Sequence, residues 1–208
     1  MLSAAGSMLE PRELVFASDN PHKLREISRL FPGFRVLAPR ELGIRFSYAE
    51  EGRSYLENAL GKAYALLDKS PAGKAVLADD SGLSVSALNG EPGIHSARYG
   101  AAERGRKLTD LERIQVLLSR MEGVERRACR FICCMVMVLE QERFVIVQEA
   151  VSGQLALEPA GSGGFGYDPV FYLPELGRTC AQLSDEEKDR ISHRGKAARR
   201  LLALLGLA

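Results

Sequence analysis

The sequence predicts an α/β fold, and three observations predict it. Residues 13–31 read as strand, polar turn and helix, and residues 54–78 as a capped helix running into another apolar strand. Between residues 126 and 155, two long apolar runs flank a four-residue charged turn, the pattern of an antiparallel hairpin. At 208 residues the chain fits one domain, or two lobes sharing a sheet, and can bury a full core.

In chain order, the first strand is ELVFAS at 13–18, and Asp19, Asn20, Pro21 and His22 break it. From Lys23, apolar residues recur at Leu24, Ile27, Leu30 and Phe31, which predicts a helix stopped by Pro32 and Gly33. A strand–turn–helix junction presents backbone N–H groups and a helix dipole to an anion, so Ser18, Asn20 and Lys23 are candidate phosphate contacts. A capped surface helix reads the same way. Residues 35–39 form a second short strand. Ser54 and Glu57 make a capping box for a helix whose apolar stripe is Leu56, Ala59, Leu60, Ala63, Leu66 and Leu67. Asn58 and Lys62, four apart, share one face of it, and Glu50 in the preceding turn is a candidate cation ligand.

The strand at 75–78 ends on Asp79 and Asp80, followed by Ser81 and Gly82. Neighbouring strand residues point to opposite faces, so one aspartate can face a cleft while the other braces the structure behind it. The cleft-facing carboxylate suits a hard-cation ligand or a general base. An Asx-turn closing the strand is the plainer reading. Residues 83–88 alternate as a half-buried strand, 89–93 form a turn, and 101–107 read as a mobile basic loop. Thr109 caps a helix with Leu111, Ile114, Leu117 and Leu118 on its core face. The hairpin reads as buried on both faces, with Met135 and Met137 in the core. Residues 158–169 pack four glycines and two aromatics around Asp168, letting backbone approach a ligand while Phe165 offers a face to stack a base. Lys188, His193 and Arg194 then form a compact donor cluster before a closing helix.

Composition narrows the partners. A net charge of +1 with 26% charged residues gives no basic field for a long nucleic acid, so an anionic partner is small and held by a few placed cations. No apolar run approaches the ~20 residues of a bilayer span, and the N-terminus lacks the basic and apolar regions of a signal peptide. Four cysteines without a CxxC pair read as buried thiols of a reducing compartment. The expectation is a cytoplasmic protein without membrane or nucleic-acid partners, with residues 1–12 a loose extension and 13–208 one domain.

Four blocks stand in order: ASDNPHKLREI, EEGRSYLENALGKA, LADDSGLSVSALNGEPGIHSARY, and GFGYDPVF followed by KDRISHRGKA. Together they resemble the inosine triphosphate pyrophosphatases, also named dITP/XTP pyrophosphatases, over nearly the whole chain. The resemblance implies a two-lobed α/β fold with a long, mixed, twisted sheet flanked by helices, the cleft between the lobes, and a homodimer. It also implies Mg²⁺-dependent hydrolysis of ITP, dITP and XTP to monophosphate and pyrophosphate, keeping these nucleotides out of DNA and RNA. Carried over by position, Ser18, Asp19, Asn20, Pro21, His22 and Lys23 surround the phosphates, and Lys62 is a further phosphate contact. Glu50 and Asp80 are the implied Mg²⁺ ligands, Asp80 also the general base, with Asp79 in support. Ser81 matches a substrate contact. Phe165, Gly166, Tyr167 and Asp168, with Lys188, His193 and Arg194, match the base pocket.

The chemistry agrees, because attack on an α-phosphorus needs a metal and cations rather than a covalent nucleophile. A donor such as Arg194 would reward a 6-keto purine and reject adenine. The family usually has Glu where this chain has Gln182, which is expected to remove a charge near Lys188. Two readings compete. The SHR block and the GFGYDP loop argue against a Maf-like nucleotide pyrophosphatase, and the presence of Glu50, Lys62, Asp79 and Asp80 argues against a non-catalytic nucleotide binder.

Overall fold

The computed structural model describes residues 12–207. Residues 1–11 of the expected extension lie outside the described residues, while Arg12 opens the first strand opposite Phe34. Strand β1 (Arg12–Phe16), helix α1 (Pro21–Leu30) and strand β2 (Phe34–Leu37) form a parallel βαβ unit. Then come α2 (Tyr55–Leu67), β3 (Ala75–Val85), α3 (Ala101–Arg104) and α4 (Asp110–Ser119). The β4 (Ala128–Glu140) and β5 (Arg143–Leu155) hairpin follows, then β6 (Phe171–Leu173), β7 (Arg178–Thr179), α5 (Asp185–Ile191) and α6 (His193–Leu204).

All seven strands join one twisted, open sheet in the order β2-β1-β3-β4-β5-β6-β7. Strand β1 pairs in parallel with β2 and β3, and every later pairing is antiparallel, so the sheet is mixed as expected. On one face Ala59, Ala63 and Leu66 of α2 pack against Val76, Ala78 and Val136. On the other, Ile27 of α1 and Ala197, Ala198 and Leu201 of α6 pack against Leu77, Met135 and Met137. The alternation of Val76, Leu77 and Ala78 between these cores is the two-residue period of a strand. A third core joins Leu83, Val85, Cys129 and Phe131 to Ile114 and Leu117 of α4 and to Tyr167 and Phe171. Strands β3 and β4 therefore run from one half of the molecule into the other. Residues 79–82, paired across Cys133 to Met135 and Ile132, lie at the seam.

Several sequence expectations change. The strand does not end at the aspartates: Asp79 pairs with Met135 and Asp80 with Cys134, and β3 continues to Val85 before a 3-10 turn at Ser86–Leu88. Helix α1 begins at Pro21 rather than Lys23, because Pro is well placed at a first helical position and Asn20 supplies the cap. Residues Ala101–Arg104 form a helical turn inside the expected loop. Leu111 and Leu56, assigned to apolar stripes, are 56% and 39% exposed, the price of reading a helix face without its tertiary neighbours. Strand β5 is buried on one face only, since its residues alternate between exposed and covered. Met135 and Met137 are buried as expected, and the four cysteines are buried free thiols. Among the described residues no helix is long and apolar enough to cross a membrane.

Candidate active site

A cavity of about 610 Å³ opens at this seam. Its floor is β3. Asp79 and Asp80 point to opposite faces, as a strand requires, and meet different partners. Asp80 Oδ2 accepts from Asn58 Nδ2 at 2.9 Å, its Oδ1 accepts from the Ser81 amide at 3.0 Å, and Lys62 Nζ stands 3.7 Å away. Lys62 donates to Glu50 Oε1 at 2.7 Å and to the Asp79 carbonyl at 2.6 Å. Thus α2 delivers Asn58 and Lys62 from one face, as its four-residue spacing predicts, and Lys62 holds Glu50 beside Asp80. Burial raises the Asp80 carboxyl above its ordinary range; Lys62 and Asn58 oppose the shift, and the nearby Glu50 charge adds to it. Burial works against the Lys62 ammonium, yet Asp79, Asp80 and Glu50 together raise its pKa.

Asp79 belongs to a buried chain of alternating charges. It accepts from Lys23 Nζ at 2.9 Å and from Arg194 Nη2 at 2.8 Å and Nε at 3.1 Å. Arg194 also donates to Ser81 Oγ at 2.9 Å and to Glu26 Oε2 at 2.5 Å. Lys188 bridges Glu26 at 2.7 Å and Asp168 at 2.6 Å. Burial alone would push the Asp79 carboxyl up, but Lys23, Arg194 and Lys62 outweigh it and hold the group well below the carboxylate range. Glu26 follows the same logic: burial raises it, and Arg194 and Lys188 bring it down to about 2. The network commits four of the five N–H donors of Arg194. His193 is buried with Nδ1 unpartnered among the described residues, and burial and Arg194 keep it neutral. Its ring stacks on Phe131 at 4.8 Å between centroids.

The far wall is the glycine-rich loop. Asp168 turns back to accept from the Phe165 amide at 2.8 Å, and a side chain at Gly164, whose φ is +69°, would collide with that carboxylate. Tyr167 donates to the Ser96 carbonyl at 3.0 Å, and the Gly166 amide to Asp110 Oδ2 at 2.5 Å. The Phe165 ring lies over Lys188 and Arg194, 5.0 Å from the ammonium and 5.7 Å from the guanidinium carbon, and 5.2 Å from the His22 ring. Gly82 is required at the floor, because a Cβ there would strike the Gly93 carbonyl and come within 2.6 Å of Ser96 Oγ.

Of the residues singled out from sequence, Asp19, Asn20, Pro21, His22, Lys23, Glu50, Asp80 and Ser81 line the cavity, as do Phe165 to Asp168, Lys188, His193 and Arg194. Ser18, Lys62 and Asp79 lie behind it; Ser18 Oγ accepts from the Asn20 amide at 3.2 Å. The first-turn amides of α1 are not open to an anion, because Asn20 Oδ1 already accepts from His22 and Lys23 at 2.9 and 3.3 Å. Gln182 is exposed, and its Oε1 accepts from the Thr179 amide at 2.9 Å, capping a 3-10 turn.

Sequence reasoning missed Glu26, Arg98, Lys107 and Arg113. Glu26 had a signal: it lies three residues from Lys23 and next to Ile27, on the buried face of α1. Arg98 donates to the Glu50 carbonyl at 2.8 Å, and its distance in sequence gave no cue.

One family model, described as the Ham1 family, matches residues 14–204 and so spans every element that lines the cavity. The chain belongs to the Ham1 family. Ham1 relatives cover nearly its whole length. A dITP/XTP pyrophosphatase of Treponema denticola is 47% identical over 89% of this chain and 94% of its own. A dITP/XTP pyrophosphatase of Thermus thermophilus is 46% identical, with 94% and 92% covered. Among solved structures, the Ham1 protein of Coxiella burnetii superposes with a TM-score of 0.82 at 37% identity, covering 95% of this chain and all of that one. That of Staphylococcus aureus gives 0.81 at 40% identity, over 94% and 98%.

Proposed function

We propose that this chain is a nucleoside triphosphate pyrophosphatase that hydrolyses dITP, XTP and ITP to the monophosphate and pyrophosphate. The observation that carries this reading is the meeting of Glu50 and Asp80 on one ammonium, Lys62, at the floor of a cleft whose other end is lined by paired cations and an aromatic ring. The names of the Treponema and Thermus relatives support the substrate class.

Two neighbouring carboxylates fit Mg²⁺, which binds through one or two carboxylates and keeps waters and substrate phosphates as its other ligands. Among the described residues no group of three or more acidic, His or Cys side chains could hold a metal, so a cage built wholly from protein is not the match. Glu50 and Asp80 would hold the ion, and it would supply charge neutralisation at the phosphoryl oxygens. Asp80, whose carboxyl burial raises above its ordinary value, would take the proton of the attacking water. The water oxygen bonds to the α-phosphorus, the α–β bridging bond breaks, and its electrons leave with pyrophosphate. Asp79 cannot share this task, because Lys23 and Arg194 fix it as a charged brace.

The base end reads the purine. Phe165 offers its ring for stacking, and the remaining donors of Lys188 and Arg194 suit the 6-keto oxygen of hypoxanthine or xanthine, while adenine brings a donor to the same place. The reading extends to a homodimer acting in the cytoplasm to clear such nucleotides before polymerases use them. Its test is a panel of ITP, dITP, XTP, ATP, dTTP and UTP with Mg²⁺ and pyrophosphate detection. Release from the first three alone supports it; no release from any of them overturns it.

A further inference from the structure

Phe165, the ring offered to the base, sits between two glycines with left-handed backbone, Gly164 at φ +69° and Gly166 at φ +62°. Two such glycines in three residues leave the loop little stiffness of its own, because glycine has the widest backbone freedom of any residue. The direction of the ring is therefore set by what holds the peptide units on either side of it. On one side Asp168 accepts from the Phe165 amide at 2.8 Å, and Lys188 fastens Asp168 at 2.6 Å. On the other side the holder comes from a distant element. Asp110, the first residue of α4, accepts through Oδ2 from the Gly166 amide at 2.5 Å, across 56 residues of sequence.

Asp110 is itself held. Its Oδ1 accepts from Arg113 Nη2, and Arg113 Nη1 donates to the Leu108 carbonyl at 2.6 Å, just ahead of the helix. The next residue, Ile114, packs in the same core as Tyr167 of the loop. The Asp110 side chain is 48% exposed, so the core does not depend on it. Its two oxygens are divided, one for its own helix and one for the loop. A carboxylate that accepts from a backbone amide makes a charge-assisted hydrogen bond, stronger than a neutral pair. Asp110, Arg113 and Gly166 border the main cavity together with Phe165.

We propose that Asp110 is a positioning residue for the base pocket: by fixing the Gly166 peptide, it holds the Phe165 ring where a purine stacks against it. It acts through Phe165 and needs no contact with substrate. The proposal rests on the assignment of Phe165 to the base made above.

The test is a double-mutant cycle between Asp110 and Phe165. It is read in ITP kinetics and in titration of inosine 5′-monophosphate, which carries the base without the scissile bond. Hydrogen exchange at the Gly166 amide of the ligand-free chain is a third readout, and melting temperature confirms that each variant is folded. Asp110→Ala is expected to raise KM for ITP and weaken monophosphate binding by about threefold to tenfold, the loss of one charge-assisted hydrogen bond. Its kcat should stay within about twofold, because base binding is uniform between ground and transition states. Its Gly166 amide should exchange faster. Asp110→Asn keeps an acceptor oxygen and should recover most of the affinity. Asp110→Ala/Phe165→Ala should bind no more weakly than Phe165→Ala alone, since a missing ring cannot be misplaced. Monophosphate affinity within twofold of the unaltered chain in Asp110→Ala, multiplied losses in the double variant, or unchanged exchange at Gly166 would overturn the role. Failure of the unaltered chain to hydrolyse ITP would count against the proposed reaction, while titration and exchange score Asp110 without turnover.

Discussion

At the Phe165 end of the cleft, Lys188 and Arg194 each meet two carboxylates at 2.5 to 2.8 Å, whereas at the Glu50 end Asp80 has Lys62 at 3.7 Å as its ion-pair partner. Both ends are buried and both are built from carboxylates and basic side chains. The base end is matched charge for charge before any ligand arrives, which suits a pocket that must hold its donors still. The phosphate end is left with a carboxylate whose ammonium partner stands off at 3.7 Å, which suits a site that takes up a cation and then a proton. Preorganisation and chemistry are thus divided between the two ends.

The division can be broken at either end. Asp80→Asn should lower kcat for ITP by roughly 10²–10⁴-fold, the usual contribution of general-base catalysis, with an unchanged circular dichroism spectrum. Retained turnover would move the base elsewhere. Glu26→Gln should leave Lys188 and Arg194 undercompensated in the interior and cost about 3–5 kcal/mol, read by denaturant titration. A pH series sharpens the same point. The folded-state pKa of Glu26 is depressed to about 2 from an ordinary 4.5, so its stabilisation is fully present above about pH 5 and is lost as pH falls toward 2. The Glu26→Gln variant should therefore show a shallower loss of stability between pH 5 and pH 3. Phe165→Ala should raise KM for ITP by about tenfold, in line with base–aromatic stacking worth ~1–3 kcal/mol. The smallest effect is expected at Gln182→Glu, which should leave KM for ITP within twofold because that exposed side chain caps a turn through an oxygen that Glu also supplies.

Much of this arrangement was legible in the sequence. The alternation of a strand predicts the divergence of Asp79 and Asp80, and helical spacing predicts the shared face of Asn58 and Lys62. Cap chemistry at Ser54 and Thr109 marks the two helix starts that the structure shows. What escaped depends on long-range packing. That the strands read at 75–78 and 83–88 are one unbroken β3 depends on a partner strand more than forty residues away, and at 79–82 no local signal separates it from an Asx-turn. The role of Glu26 appears only when α5 and α6 bring Lys188 and Arg194 against α1.

The division of labour is tested most directly by kcat/KM for ITP and for ATP in Asp80→Asn and Glu26→Gln, measured below the melting temperature of each. Asp80→Asn should lower both values together and leave the ITP-to-ATP ratio unchanged, while Glu26→Gln should compress that ratio. A ratio that collapses in Asp80→Asn, or that survives intact in Glu26→Gln, would contradict it.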